Sequence, residues 1–339
     1  MSERLVVRLR RQALAGSSWN AVLLHRMADE VEAGGDVPRA LAPIAHLRSK
    51  QAPSLRVLAA AHRLALDGDA PAYAAHCPTT GGDGDAEAAW PAFRDLLVSG
   101  ALDTGMAQPV QTNEPRRAAA LVPAFGHVQA ATGLPLRLLE LGSSAGLLLR
   151  FDRYRYEIGG RPWGDLSSPV CVTADGDPPL RPVDVVDRRG CDPNPLDPVA
   201  DRSLLLSWIW PDQRERFDAV AAALDLAAAN PDAVDPSPGS AWLGSQLATA
   251  AAGAATVVFH SIVWQYLPEE EAAAVTAAIE EAGARATADA PLAWLRFEPH
   301  DAHPETGVDL RLRLWPGGDD GSLARCGYHG TPIDWRAGP

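Results

Sequence analysis

The amino-acid sequence predicts an α/β fold, with a mostly parallel sheet that ends in an antiparallel hairpin and a helical domain before it. Three observations lead to this prediction. The first 131 residues carry helical patterns without a β-rich run. From Leu136 onward, short apolar runs alternate with helical stretches, and the last two β-type segments have no helix between them. We therefore expect a helical domain over 1–131 and an α/β domain over 132–339.

The helical domain is identified by its caps and its apolar spacing. Ser17 and Ser18 offer an N-cap to a helix whose apolar residues recur at helical spacing and which stops at Gly34. Further helices are predicted near 54–66 and 85–99, with a loop rich in Gly and Asp between them. We expect this domain to act as a lid or to bind substrate.

The α/β domain is identified by short apolar runs that end in turn residues, as buried parallel strands do. Strands are predicted at 136–141, 183–187, 255–260, 290–298, 308–315 and 323–329, with a weak one ending at Asp235. Helices are predicted at 145–155, 199–210, 212–229 and from Pro268 onward, and an inserted hairpin near 156–176. Two successive strands at the end imply that an antiparallel hairpin completes the sheet.

Composition narrows the class of partner. The chain has 43 acidic and 30 basic residues, a net charge of −13, which repels phosphate backbones and anionic lipids. We therefore expect a small-molecule substrate and no nucleic acid or membrane partner. The four cysteines form no C-x-x-C pair, and the N-terminus lacks the apolar core of a signal peptide, so we expect a cytoplasmic protein. Nothing in the sequence indicates the oligomeric state.

No metal site is predicted from the sequence. His300 and His303 flank Asp301 in a loop bounded by proline residues. Two histidines at this spacing, without an obvious third ligand, are typical of a solvated turn.

The segment from Glu140 to Gly146 carries the functional prediction. A buried strand ends at an acid and passes through a turn bounded by Gly142 and Gly146 into the next element. Ligands of open α/β sheets bind at the carboxyl ends of strands, where helix-start amides bind a carboxylate and an acid binds an ammonium or hydroxyl group. The alternative to a ligand-binding loop is a purely structural one, in which the junction of strand, turn and helix needs small residues only for packing.

The glycine spacing distinguishes this loop from a dinucleotide-binding loop. Glycines spaced G-x-x-x-G after an acid differ from G-x-G-x-x-G. The loop resembles the first motif of the Rossmann-like methyltransferases, E/D-x-G-x-G-x-G. The resemblance implies that Glu140, Gly142, Ser143, Ser144 and Gly146 bind the methionine end of S-adenosylmethionine, with the acid at the amino group. Ser144 stands where that motif has its middle glycine.

More closely, the chain is similar to a family of uncharacterised bacterial proteins that share a domain of unknown function. The matching boxes are 110–114 (VQTNE), 140–146 (ELGSSAG) with 150–156, 189–195, 259–266 (FHSIVWQY) and 326–330.

Other residues are candidates by their position in this plan. A second acid at the end of the second strand usually binds the ribose hydroxyls in methyltransferases, and either Asp187 or Asp192 could be that acid, unless they form surface pairs with neighbouring arginines. Asn113 and Glu114 precede a helix that leads into the first strand. Either Thr112 or Asn113 caps that helix, or this segment contacts the cofactor or the substrate.

The acceptor side is predicted after the strand at 255–260. His260 at its end could take a proton from the attacking atom of the acceptor, which would make it the catalytic base. Trp264 and Tyr266 could enclose an apolar or cationic group of the substrate. The alternative is a hydrogen-bonded structural histidine with core aromatic residues beside it.

Together these features predict an S-adenosylmethionine-dependent methyltransferase that acts on a small molecule. Two other functions remain open. An inactive binding or regulatory protein with the same fold is favoured by Ser144 and by the late second acid. A nicotinamide-dependent oxidoreductase is disfavoured by the glycine spacing and the terminal hairpin.

Overall fold

The computed structural model describes residues 2–14, 17–48, 51–231, 234–300, 307–318 and 320–336. The chain divides into two compact units. The first comprises residues 1–112 and 200–221, and the second comprises residues 113–199 and 222–339. This division differs from the expected boundary at 131/132. The helix after residue 117 packs on the strands of the second unit, and residues 200–221 pack with helices of the first.

The helices predicted at 54–66, 85–99 and 212–229 form within two residues of those bounds. They are α1 (Ser2–Leu14), α2 (Ser18–Ala33), α3 (Val37–Ala40), α4 (Ala42–Ala45), α5 (Pro53–Asp67), α6 (Pro71–Ala74), α7 (Ala86–Val98), α8 (Asp103–Ala107), α9 (Ala118–Thr132), α10 (Arg202–Ser207), α11 (Arg214–Ala229), α12 (Gly239–Gln246) and α13 (Glu269–Ala284). The Ser17 hydroxyl caps α2 by accepting the N–H of Asn20, and Gly34 ends the helix with φ of 77°. No helix among the described residues is long and apolar enough to cross a membrane.

The strands form an α/β arrangement with an eight-stranded mixed sheet. They are β1 (Leu136–Leu141), β2 (Arg155–Ile158), β3 (Arg161–Gly164), β4 (Cys171–Ala174), β5 (Val185–Asp192), β6 (Val234–Pro236), β7 (Ala255–Ser261), β8 (Leu292–Pro299), β9 (Val308–Trp315), β10 (Asp320–Cys326) and β11 (Ile333–Trp335). The large sheet has the order β11-β10-β9-β8-β7-β1-β5-β6. Five adjacent strands of this sheet, β8, β7, β1, β5 and β6, are parallel. Strands β9, β10 and β11 extend the sheet beyond β8, and each pairs antiparallel with its neighbours.

Chain order and sheet order together define a switch point beside β1. The strand that follows β1 in the large sheet, β5, pairs on one side of it, and β7 pairs on the other. In open α/β sheets a crevice forms at the carboxyl ends of the strands where the order reverses. The loops that follow β1, β5 and β7 meet at that edge.

Alternating side chains of β1 pack on two different layers, because successive residues of a strand point to opposite faces. Leu139 and Leu141 belong to a core cluster with residues of α12 and α13. On the other face, Phe125 of α9 contacts Phe151 and Phe259, with ring centroids 4.6 and 5.3 Å apart. Both faces of the central strand are therefore covered.

The helix predicted at 145–155 is wrong, since only a 3-10 segment forms there, over 148–153. The buried Arg150 has non-helical φ and ψ of −102° and 17°. Its guanidinium donates to the carbonyls of Gly146 and Ala145 at 2.6 and 3.4 Å, so these carbonyls are satisfied without an α-helix.

The insertion expected near 156–176 is a separate three-stranded sheet, with the order β3-β2-β4. Strands β2 and β3 form an antiparallel hairpin, and β4 adds a parallel strand. Tyr154 and Tyr156 lie buried beneath this sheet, and their hydroxyls donate to the carbonyls of Leu147 and Phe151. The insertion thus packs against residues 147–151, in the chain that follows β1.

Candidate functional site

The loop after β1, residues 142–147, follows the turn that the sequence predicted; we call it the β1 loop. Its backbone is left-handed at Gly142, Ser144 and Gly146, with φ of 69°, 52° and 69°. These are the three positions that are glycine in the methyltransferase motif. Ser144 therefore keeps the glycine-like conformation without the glycine, at a steric cost of about 1–2 kcal/mol.

Two glycines allow the β1 loop to pack closely against its neighbours. A Cβ on Gly142 would lie 2.5 Å from Cγ2 of Val263, in the turn after β7. A Cβ on Gly190 of β5 would overlap the hydroxyl of Ser143. The β1 loop is thus enclosed between the end of β5 and the turn after β7.

Glu140 is the most unusual group at this edge of the sheet. Its side chain is buried, and burial raises the pKa of its carboxyl group to about 8. The Ser143 hydroxyl and the charges of Arg150 and Arg117 oppose that rise without cancelling it. Within the described ranges, Oε2 of Glu140 has no hydrogen-bond partner, and neither has the buried hydroxyl of Ser144. Two polar atoms of the loop therefore lack partners, which is rare for buried groups.

Asp192 and Asn113 hold the β1 loop in place. Asp192 ends β5, and its carboxylate accepts the N–H groups of Ser144 and Asn194 at 3.0 and 2.9 Å. The side-chain amide of Asn113 donates to the carbonyl of Ser143 over 2.8 Å. Both residues, predicted on different grounds, lie against the same loop.

The structure separates the two acids that the sequence left as alternatives. Asp187 pairs in register with Arg137, near the start of β1, and forms an ion pair with its side chain at 3.3 Å. It lies five positions before Asp192 along β5 and is largely exposed. Since a ligand of this edge contacts strand ends, Asp192 is in position to bind it and Asp187 is not.

Glu114 lies in a turn before α9. One carboxylate oxygen accepts the N–H of Arg116 at 3.1 Å, and the other lies 3.5 Å from Nδ1 of His329. Glu114 therefore caps the 3-10 turn at 115–117, whereas Thr112 or Asn113 was the predicted cap.

His260 points to the face of the sheet opposite Glu140. Leu141, not Glu140, is its register partner on β1. Its Nε2 accepts the indole N–H of Trp294 at 3.1 Å, so Nδ1 carries the proton and donates to Oε1 of Glu298 at 2.6 Å. Because both ring nitrogens are engaged and the residue is fully buried, this geometry gives His260 a positioning role.

Glu298, at the end of β8, is a site residue that the sequence analysis did not single out. Its Oε1 also accepts the N–H groups of Val263 and Trp264, at 3.0 and 3.3 Å. Its Oε2 is buried and has no hydrogen-bond partner in the part of the chain described. The sequence does show an acid at the end of a predicted strand. It does not show that β8 pairs with β7, and this pairing brings Glu298 to His260.

The predicted aromatic residues lie in the turn after β7. Trp264 stacks on His260, with centroids 5.0 Å apart, and lies 5.8 Å from the ring of Trp294. Tyr266 is 42% exposed, so it does not enclose a ligand in this conformation. Ile262 begins the turn with φ of 55°, a strained value for a β-branched residue.

Arg117 connects further parts of this edge, and the sequence analysis did not identify it. Its guanidinium donates to the carbonyl and hydroxyl oxygens of Ser261, both at 3.2 Å, and to the carbonyl of Tyr328 at 3.2 Å. The charge of Arg117 also opposes part of the rise that burial causes in the pKa of the Glu140 carboxyl. The start of α9 is therefore fixed to the ends of β7 and β10.

With these contacts established, comparison with known proteins gives one match. A family model described as "Uncharacterized protein conserved in bacteria (DUF2332)" matches residues 6–335. The chain belongs to this DUF2332 family. No curated protein matches it. No solved structure matches it either.

The boxes noted in the sequence of this DUF2332 protein come together around the β1 loop. Asn113 and Asp192 belong to two of them, Arg117 contacts Ser261 in a third, and these contacts join the ends of β1, β5 and β7. The described residues contain no group of three or more His, Cys, Asp or Glu side chains placed to bind a metal. Asp301 and His303 lie outside the described residues.

Proposed function

We propose that this protein binds S-adenosylmethionine at the β1 loop and transfers its methyl group to a small molecule. The observation that supports this most is the buried, unpartnered Oε2 of Glu140 beside a loop with three left-handed positions at the switch point of the sheet. A buried carboxylate requires a donor, and an amino group of a ligand supplies one.

The residues present fit the amino and ribose groups of this cofactor. Glu140 would accept the amino group, and the Ser144 hydroxyl, also without a partner among the described residues, lies in the same loop. Asp192 already accepts two N–H groups, but a carboxylate offers about four lone-pair sites, which leaves room for ribose hydroxyls. When bound, the cofactor supplies an activated methyl group on a positively charged sulfur.

One expected contact is missing from this plan. The β1 loop leads into a 3-10 segment, so it offers no α-helix N-terminus to bind the carboxylate of the methionine end. This departure favours the second candidate, an inactive protein with the same fold. The engaged nitrogens of His260 favour it as well, because they leave no lone pair for general base catalysis.

The buried carboxyl of Glu140 makes a distinctive contribution to binding. Its pKa of about 8 means that it carries a proton at neutral pH when it has no cationic partner. A bound ammonium group favours the ionised form, so the carboxyl releases its proton when the ligand binds. Proton release therefore accompanies binding through Glu140.

Calorimetric titration with S-adenosylmethionine and, separately, S-adenosylhomocysteine tests the proposal. Micromolar binding of either is expected. The variant Glu140→Gln should weaken binding about tenfold or more, because a charge-assisted hydrogen bond contributes about 1.5–3 kcal/mol. The exposed Glu157 of β2 provides the matched control, Glu157→Gln, with unchanged affinity expected.

A second pair of variants tests the position of the site. Gly142→Ala places a methyl group against Val263 and should weaken binding, whereas Gly244→Ala on α12 enters open space and should not. If neither ligand binds at millimolar concentration, the proposal fails and the inactive-protein alternative takes its place.

A further inference from the structure

Glu298 is the second carboxylate at the carboxyl ends of the strands with one oxygen that has no hydrogen-bond donor among the described residues. Its Oε1 accepts three N–H groups, from His260, Val263 and Trp264. Its Oε2 is buried and has no partner in the described parts of the chain, although only 14% of the side chain is exposed. A buried oxygen of this kind is costly unless a donor reaches it.

The surroundings hold the Glu298 carboxylate in one orientation. The indole of Trp294 fixes the His260 ring, which donates to Oε1, and the two backbone N–H groups approach the same oxygen. Oε2 is therefore the atom left for a partner from outside the protein. This relay gives a reason for the buried histidine that does not require it to react.

The turn after β7 links this carboxylate to the β1 loop. Val263 donates its N–H to Glu298 and packs its side chain against Gly142. Glu140 and Glu298 lie on opposite faces of the sheet, but both lie at its carboxyl edge, with Val263 and Gly142 in contact between them. A group at Glu298 is thus close to, but separate from, the proposed cofactor residues.

The aromatic residues indicate which donor fits. Trp264 donates its backbone N–H to this carboxylate, its ring lies 5.8 Å from that of Trp294, and indole faces attract cations. The guanidinium of Arg296 already lies 4.5 Å from the Trp294 ring centroid, which leaves Trp264 as the indole for a ligand. A carboxylate beside a half-buried indole matches an ammonium group on an apolar body.

We infer that Glu298 and Trp264 form a binding subsite for the ammonium group of a small amine. This deepens the proposed function, on which it rests, by naming the acceptor class as an amine, whose ammonium group passes a proton to Oε2 of Glu298 so that its nitrogen gains the lone pair that attacks the methyl group. Glu298 binds the cation, and His260 and Trp294 are positioning residues that hold its carboxylate.

The probe for this subsite is benzylamine, with benzyl alcohol as the neutral compound of the same shape. Saturation-transfer NMR and quenching of tryptophan fluorescence measure their binding to the full chain. We expect benzylamine to bind about tenfold or more tightly than benzyl alcohol, a difference of about 1.4 kcal/mol. Glu298→Gln should remove that preference, and Glu270→Gln, an exposed position on α13, should retain it.

Two further measurements keep the test decisive. If Glu298→Gln does not fold, Trp264→Leu replaces it, because Trp264 is only partly buried. Equal binding of amine and alcohol, or an unchanged preference in the variant, overturns the inference, and an ordered water then satisfies Oε2. Titration with S-adenosylhomocysteine on the same samples shows separately whether the proposed cofactor site holds.

Discussion

The backbone N–H of Ser144 donates to Oδ2 of Asp192 over 3.0 Å, which joins the left-handed centre of the β1 loop to the end of β5. The second oxygen of the same carboxylate accepts the N–H of Asn194. One side chain therefore satisfies the backbone of two loops, and both loops depend on it.

We expect Asp192→Ala to lower the free energy of unfolding by about 2–3 kcal/mol, because the buried N–H of Ser144 and the partly buried N–H of Asn194 lose a charged acceptor. Asp192→Asn, which retains one acceptor oxygen, should lose about half as much. Urea denaturation measures both. The control is Asp187→Ala, whose exposed ion pair contributes about 0–1 kcal/mol. Equal losses at the two positions would contradict the role given to Asp192.

Ser144→Gly should leave the protein as stable as the wild type, or about 1 kcal/mol more stable. Glycine adopts the left-handed backbone without strain, and the substitution also removes a buried hydroxyl that has no partner among the described residues. Greater flexibility of the unfolded chain offsets part of the gain. Ser144→Val should be destabilising, and thermal unfolding of both variants distinguishes them. A glycine variant less stable than the valine variant would show that the loop conformation is wrong.

The stability of the protein should fall as the pH rises from about 5 to about 8, through the contribution of Glu140. The folded state raises the pKa of this carboxyl from 4.5 to about 8, so it binds a proton that the unfolded chain has already released in this range. The contribution to stability is complete below the unfolded pKa and is lost as the pH passes through the folded one.

Glu140→Gln isolates this effect, because glutamine has a similar shape and does not titrate. Urea unfolding measures the free energy of unfolding at pH 5 and pH 8. Relative to the wild type, the variant should be about 1–3 kcal/mol more stable at pH 8 than at pH 5. Glu157→Gln serves as the exposed control. Parallel stability curves for the wild type and Glu140→Gln would contradict the buried, protonated carboxyl.

His260 should be a neutral imidazole with its proton on Nδ1. The indole N–H of Trp294 can only donate, which leaves Nε2 as the acceptor. Nitrogen-15 NMR of labelled histidine distinguishes the two tautomers directly. Trp294→Phe removes the indole donor and should shift the Nε2 resonance, whereas Trp90→Phe in the first unit should leave it unchanged. A proton on Nε2 in the wild type would contradict the relay to Glu298.

The fold was largely predictable from the sequence, because its strands are local apolar runs that end in turn residues. The β1 loop was predictable for the same reason, as its acid and glycines lie within seven residues. Glu298 was not, because its role depends on the pairing of β7 with β8, which no local pattern reports. The helix predicted at 145–155 does not form for a similar reason. The guanidinium of Arg150 donates to the carbonyl of Gly146 and to that of Asn230, which lies 80 residues further along the chain.

The discontinuous first unit has a consequence for the order in which the protein forms on the ribosome. His62 lies fully buried in that unit, where burial lowers its pKa to about 4, and its ring nitrogens contact the Thr79 hydroxyl and the carbonyl of Ser207. Ser207 is synthesised 145 residues after His62. The N-terminal helices therefore leave the exit tunnel early but wait for residues 200–221 to complete their core. When residue 221 has been made, the central strand and the β1 loop are present but β6 to β11 are not, so the first unit can complete its core before the second.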